Sequence, residues 1–283
     1  MALVIEGGAM RGVISAGMVS ALEVLSFTGV FDRVYGSSAG AINAAYFLAG
    51  QARIGTSIYY EDINNRRFID LRRALQGRAI VNLEFLLGDV AVRRKQLDVD
   101  RVLQSRSPLS VMATDVESEA SVPLAAFENA EQLFGALRAG ATMPVMAGDP
   151  HPYRGRRYLD ASLTQPIPLL AAESDGHTHV VVLLTRDGGM QPRPSAFDRY
   201  FVGPRLRRVS PGLADRYLTR AGPYAHLIHL IGSGKGPLGQ AEVLGISVPG
   251  LRISKLERRA DVLRTGAQLG YDAIMRTLGP DAG

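Results

Sequence analysis

Two glycine-centred turns fall within the first 40 residues, and each stands between an apolar run and a stretch of small residues. Gly7-Gly8-Ala9-Met10-Arg11-Gly12 follows Ala2-Leu3-Val4-Ile5 and opens a helical run. Gly36-Ser37-Ser38-Ala39-Gly40 follows a strand predicted over Phe31–Tyr35 and opens a helix predicted over Ala39–Leu48. Abrupt strand-to-helix turns of this kind give a largely parallel sheet covered by helices on both faces. In such sheets, sites gather at the carboxyl ends of strands. Further along, the pattern predicts strands over Leu109–Thr114 and Ser121–Phe127 and a helix over Gln132–Ala139. Short strands near Arg157 and Val180, an Arg-rich helical stretch, two C-terminal strands around Pro249 and a last helix over Arg259–Leu278 complete the order.

The second turn has the G-x-S-x-G spacing of a nucleophile elbow. There a serine sits on a sharp turn, and flanking glycines, here Gly36 and Gly40, remove the Cβ atoms that would clash. The backbone N–H groups of the first turn face the start of a helix, where they can meet a developing negative charge. A nucleophile and a nest of donors are the minimum equipment for acyl transfer. The plainer reading of the second turn is a helix N-terminus capped by Ser37 or Ser38. Nucleotide readings of the first turn fail on particular residues. Ala9 stands where a dinucleotide fingerprint needs its second glycine, and Asp32 precedes the second strand instead of ending it. Arg11-Gly12-Val13 replaces the Lys-Ser/Thr of a phosphate-binding P-loop. An ordinary α/β-hydrolase order is also strained, because the elbow arrives on about the second strand and no later histidine has a partner context.

A serine nucleophile needs a base. Asp115, Asp149 and Asp160 all stand at strand or turn punctuation, where aspartate is commonly a turn or cap residue, and spacing does not choose among them. A carboxylate with an ordinary pKa near 4 is a weak base, so the oxyanion donors must supply much of the stabilisation.

Four ordered motifs together resemble patatin-like phospholipases: Gly-Gly-Ala-Met-Arg-Gly, Gly-Ser-Ser-Ala-Gly, Ala141-Thr142-Met143-Pro144 and Tyr158-Leu159-Asp160-Ala161-Ser162. Ala113-Thr114-Asp115 and Gly270-Tyr271-Asp272 extend the likeness over nearly the whole chain, nearest to the small bacterial members. The resemblance implies a three-layer α/β/α patatin-like fold with a mainly parallel central sheet, as a single domain over residues 1–283. It implies a lipid acyl hydrolase of the phospholipase A, lysophospholipase or carboxylesterase type, with Ser38 as nucleophile and Asp160 as its base. The oxyanion hole would be backbone amides among Gly7, Gly8, Ala9 and Ala39, and no metal or organic cofactor is implied. Two positions depart from the pattern. Ala9 replaces a third glycine, and Asp160-Ala161-Ser162 replaces Asp-Gly-Gly or Asp-Gly-Ala. The alternative is a catalytically silent relative that binds lipid or protein through the same pocket.

The rest of the chain frames that reading. With 283 residues and 46% apolar content, it can bury a large core. Arg186–Gly212, with four prolines, reads as an excursion or lid. Cysteine is absent, which removes disulfides and thiol chemistry. No basic-then-apolar leader precedes the first strand, and apolar runs such as Val180–Leu184 are strand-sized, so a cytoplasmic protein is expected. Net charge is +5, carried almost wholly by arginine. Two basic stretches, 66–73 and 199–208, interleave arginine with Phe, Tyr, Ile and Leu. Each could touch an anionic membrane surface peripherally or be a solvated face. No nucleic-acid signature accompanies them. Arg11 is assigned to ordering the glycine turn or meeting a substrate phosphate. His177 with His179, and His226 with His229, lack third and fourth ligands for a metal.

Overall fold

The computed structural model of the chain describes residues 1–187 and 194–280. Strands β1 (Ala2–Ile5), β2 (Arg33–Ser37), β3 (Leu109–Asp115), β4 (Ala120–Leu124), β5 (His151–Tyr153), β6 (Arg156–Asp160), β7 (His179–Leu183) and β8 (Glu242–Ile246) form one eight-stranded sheet. The helices are α1 (Gly12–Val24), α2 (Ala39–Leu48), α3 (Ala52–Glu61), α4 (Val99–Leu103), α5 (Ala130–Ala141), α6 (Leu169–Ser174), α7 (Gly203–Val209), α8 (Pro211–Thr219), α9 (Ala221–Gly232) and α10 (Ala260–Leu278). Hydrogen bonding runs β5-β6-β3-β2-β1-β7-β8, with β4 added to β3. The run from β3 to β8 is parallel, whereas β4, β5 and β6 pair antiparallel.

Strand β1 shows why these residues make a buried central strand. All four side chains are fully buried. Leu3 and Ile5 join one core, and Ala2 and Val4 join the other, as the two-residue period of a strand dictates. The first core packs against residues of α1, α2, α3 and α10; the second packs against Leu169 and Ala172 of α6 and Tyr224 and Ile231 of α9. Three layers result. A third, smaller cluster joins Val202, Leu206, Leu213 and Tyr217 to Val116, Leu159 and Leu163.

The pairing around β3 decides where the site forms. Strand β4 pairs with Val111–Asp115 along one edge. Strand β2 pairs with Leu109–Met112, and β6 pairs with Ala113–Asp115. Both must therefore use the opposite edge. They run toward each other along it, β2 parallel and β6 antiparallel to β3, and stop at adjacent register positions: Ser37 opposite Met112 and Asp160 opposite Ala113.

The mixed α/β architecture and mainly parallel sheet agree with the sequence reading, and α2 has the predicted bounds. Strand β2 begins at Arg33, because Phe31 is buried in the turn before it. Of the two expected C-terminal strands, one is present. After β8 the chain crosses back to the first glycine turn, where Lys255 O accepts a hydrogen bond from Met10 N at 3.2 Å, instead of pairing with the sheet. His177 precedes β7, so the two histidines do not alternate along a strand. No group of metal-ligating side chains occurs among the described residues. Within Arg186–Gly212, residues 188–193 lie outside the described residues. Of the remainder, Val202 and Leu206 are buried in the third cluster.

Candidate active site

Ser38 stands between the end of β2 and the start of α2 with φ 53° and ψ −125°. That backbone is strained for any residue with a Cβ, at a cost of about 1–3 kcal/mol. It is the N-cap residue of α2 in position only, since its side chain makes no capping hydrogen bond. Its hydroxyl is turned instead to the carboxylate: Ser38 Oγ donates to Asp160 Oδ2 at 2.6 Å. The elbow closes because Gly36 has no side chain. A Cβ there would stand 2.3 Å from Ala41 Cα, and that backbone contact holds α2 against β2.

Asp160, 4% exposed, is fixed on every side. Its Oδ1 accepts from Ser162 N at 2.8 Å, its N–H donates to Thr142 O at 2.8 Å, and its carbonyl accepts from Thr114 Oγ at 2.9 Å. The ordinary capping role and the contact with Ser38 thus use different oxygens of one carboxylate. Burial raises its pKa above the usual 3.8, against hydrogen bonds from Ser38 and Ser162 and the nearby positive charge of Lys255. The rival aspartates are elsewhere. Asp115 is tied to Arg156 at 2.5 Å and to Ser118, and Asp149 lines a separate hollow with Arg78 and His151.

Gly7 abuts Ser38. A Cβ at this position would lie 2.6 Å from Ser37 O and 2.9 Å from Ser38 Cβ. No acceptor is found among the described residues for the N–H groups of Gly7, Gly8, Ala9 or Ala39. Ala9 has φ 51°, the left-handed conformation that glycine adopts freely and alanine at a cost of about 1–2 kcal/mol. At the other departure, Ala161 lies off the cavity wall. The Ala161 side chain is buried in the second core, and Ser162 lines the cavity instead.

Ser38 and Asp160 open into a cavity of about 600 Å³ that is also lined by the first glycine turn and Ala39. Much of its wall is apolar, including Ile42, Ile58, Phe68, Ile80, Leu86 and Met146. Of the first basic stretch, Phe68 and Ile69 face this cavity and are buried. In the second, Tyr200 is 75% and Phe201 59% exposed. The same segment sends Phe197, Asp198 and Val202 into the cavity wall.

Several residues at the site carry no sequence signal. Glu6 is buried beneath the first turn. Its carboxylate accepts from Thr185 N at 2.6 Å and Tyr224 OH at 2.8 Å, and Thr185 Oγ also lies 2.9 Å from Gly7 O. Arg186, Arg220 and Lys255 reach the same cavity from three distant segments. Asn43 Nδ2 donates to Gly12 O at 2.8 Å and Tyr59 OH donates to Asn43 Oδ1 at 3.0 Å, locking the start of α1 to α2 and α3. For that network, an asparagine inside an otherwise apolar helix is a signal the sequence offers.

A family model described as patatin-like phospholipase matches residues 3–173. The chain is 26% identical over 202 residues to the uncharacterized protein YjjU of Escherichia coli (strain K12); the match covers 70% of this chain and 56% of that protein. The chain thus spans little more than half of that relative's length. The crystal structure of VipD from Legionella pneumophila is similar with a TM-score of 0.43 at 12% identity, over 97% of this chain and 66% of that one.

Proposed function

Because the chain belongs to the patatin-like phospholipase family, whose members act on lipids, we propose that it is a serine lipid acyl hydrolase working through a Ser38–Asp160 dyad. The observation that supports this reading best is the 2.6 Å hydrogen bond from Ser38 Oγ to Asp160 Oδ2 at the wall of a largely apolar cavity. Ser38 Oγ attacks the ester carbonyl carbon as its proton passes to Asp160 Oδ2. The carbonyl oxygen takes the negative charge and is met by amides among Gly7, Gly8, Ala9 and Ala39. Such preorganised donors are worth about 3–4 kcal/mol each in comparable sites. Collapse of the intermediate expels the alcohol, which takes the proton from Asp160 and leaves an acyl-serine. Water then attacks the acyl carbon, gives a proton to Asp160, and the second collapse returns it to Ser38.

Burial of Asp160 assists this chemistry, since a carboxylate with a raised pKa is a stronger base than one in water. The strained elbow holds the hydroxyl in the attacking position before substrate arrives. Residues 1–283 act in this reading as a single domain. The exposed Tyr200 and Phe201, with Arg199, Arg205 and Arg208 around them, would rest on an anionic lipid surface beside the cavity wall. No helix among the described residues is long and apolar enough to cross a membrane.

The test is intact mass after exposure to a fluorophosphonate, with wild type and Ser38→Ala in parallel. One adduct on wild type and none on the variant is the expected result. A folded wild type without an adduct would overturn the dyad assignment.

A further inference from the structure

Two carboxylates inside the cavity are already committed. Glu6, 1% exposed, holds Tyr224 and Thr185 and stands 3.9 Å from Arg186 Nε. Asp198 accepts from Tyr217 OH at 2.6 Å and Ser195 N at 2.8 Å, and pairs with Arg220 Nη2 at 3.0 Å. Arg11 and Lys255 have no carboxylate within ion-pair distance among the described residues. Four cations therefore line a cavity with three acids, Glu6, Asp198 and Asp160.

Two of these cations, Arg11 and Arg186, are also short of acceptors. Arg11 Nε and Nη2 are buried without a hydrogen-bond partner, and so is Arg186 Nη1 on a side chain only 10% exposed. Nε–H and Nη2–H lie on one edge of a guanidinium and point in parallel, the arrangement that takes two oxygens of one anion. Buried donors left unpaired are destabilising, so a folded chain rarely keeps three together without a use for them. The neighbourhood is strained electrostatically as well. Burial, with Arg186 nearby, lowers the pKa of Arg11 to about 10, and burial with Arg11, Arg186 and Arg220 lowers that of Lys255 to about 8. Lys255 and Arg186 are both tied to the first turn, Lys255 through its carbonyl to Met10 N and Arg186 through Glu6, the residue before Gly7.

Given the hydrolase reading above, on which this rests, we infer that Arg11, Arg186 and Lys255 form a subsite for a phosphate on the alcohol side of the scissile ester. The substrates it selects are lipid esters with a net-anionic phosphate headgroup, in preference to neutral or zwitterionic ones. The acyl chain occupies the apolar wall built by α2, α3 and the segment from Ile63 to Leu86. A phosphate among Arg11, Arg186 and Lys255 supplies the missing acceptors and brings the local charge back toward balance.

The test compares kcat/KM for three substrates of one acyl chain: a lysophosphatidic acid, a lysophosphatidylcholine and a monoacylglycerol. Wild type should prefer the first by at least about tenfold, the scale of one charge-assisted contact. Lys255→Met and Arg186→Met should each cut that preference about tenfold, and Lys255→Arg should keep most of it. Equal turnover of all three by wild type, or an unchanged preference in both methionine variants, overturns the subsite while leaving the hydrolase reading intact. Should wild type take no ester and no fluorophosphonate, the reading fails, and titration calorimetry with glycerol 3-phosphate still interrogates the subsite. Binding to wild type that is lost in folded Lys255→Met would support a phosphate site, and no binding would overturn it. Inorganic phosphate binding as tightly as glycerol 3-phosphate, with no lipid preference, would overturn the headgroup assignment in favour of a soluble anion.

Discussion

Ser37 and Asp160, 123 positions apart in sequence, are the partners of consecutive residues of β3, Met112 and Ala113. The proposed dyad lies at the meeting point of two strands that approach head-on along one edge. A carboxylate thus arrives beside the hydroxyl of Ser38 without any loop to carry it.

Replacement of Asp160, the proposed base, should separate activity from stability. Asp160→Asn keeps the shape and the contact with Ser162 N, and it should lose most ester turnover, a hundredfold or more by analogy with general-base removal. The folded-state pKa of Asp160 is raised, so its contribution to stability is fully present below the unfolded pKa and is lost as pH rises through the folded one. At pH 7 the neutral amide should therefore unfold at a higher temperature than wild type, each tenfold shift in proton affinity being about 1.4 kcal/mol. A melting curve that shows Asp160→Asn less stable at pH 7 would contradict this.

The pH dependence of kcat/KM should show an acid limb above pH 3.8, because in the proposed mechanism Asp160 must be ionised to take the proton from Ser38. The charge of Lys255 favours the ionised form. Lys255→Met should move that limb to higher pH, and a limb that stays in place would show that the two groups do not interact.

Ala9→Gly relieves a left-handed alanine at φ 51°. The gain of about 1–2 kcal/mol is offset in part by the greater freedom of glycine in the unfolded chain. A net stabilisation of roughly 0.5–1 kcal/mol is expected from denaturant titration. Destabilisation by that amount would mean the alanine methyl makes a contact that outweighs the strain.

The elbow tolerates no side chain at Gly36, where a Cβ would meet the backbone of α2 at 2.3 Å. Gly36→Ala should destabilise by at least about 1–3 kcal/mol, the usual range for overpacking, and should displace Ser38 enough to stop fluorophosphonate labelling. A variant that melts and labels like wild type would refute the close approach.

Exposed aromatic side chains give the last prediction. Tyr200→Ser combined with Phe201→Ser should lower the ratio of turnover on anionic vesicles to turnover of a short monomeric ester, by about tenfold if the two rings enter the interface. Sedimentation with the same vesicles should report the loss of binding directly. An unchanged ratio would assign these rings to ordinary surface.

What the sequence made legible was local. Strand, sharp turn and small-residue helix around Ser38 lie within a few consecutive residues, and α2 followed with its predicted bounds. Asp160 was selected by a family motif and not by spacing, since its use depends on which edge of β3 is left for β6. Arg186, Arg220 and Lys255 gave no signal because they converge from segments far apart, each unremarkable alone. The missing C-terminal strand is of the same kind. Residues after Pro249 look like a strand by composition, but the backbone around Lys255 is spent on the glycine turn.

Strand β1 lies inside the sheet, yet its two neighbours are of very different age in a growing chain. Strand β2 emerges about 30 residues after it, whereas β7, which covers its other edge, spans His179–Leu183 and itself waits for β8. For most of synthesis on the ribosome, one side of a wholly apolar strand has its N–H and C=O groups unpaired, and such an edge invites pairing with other chains.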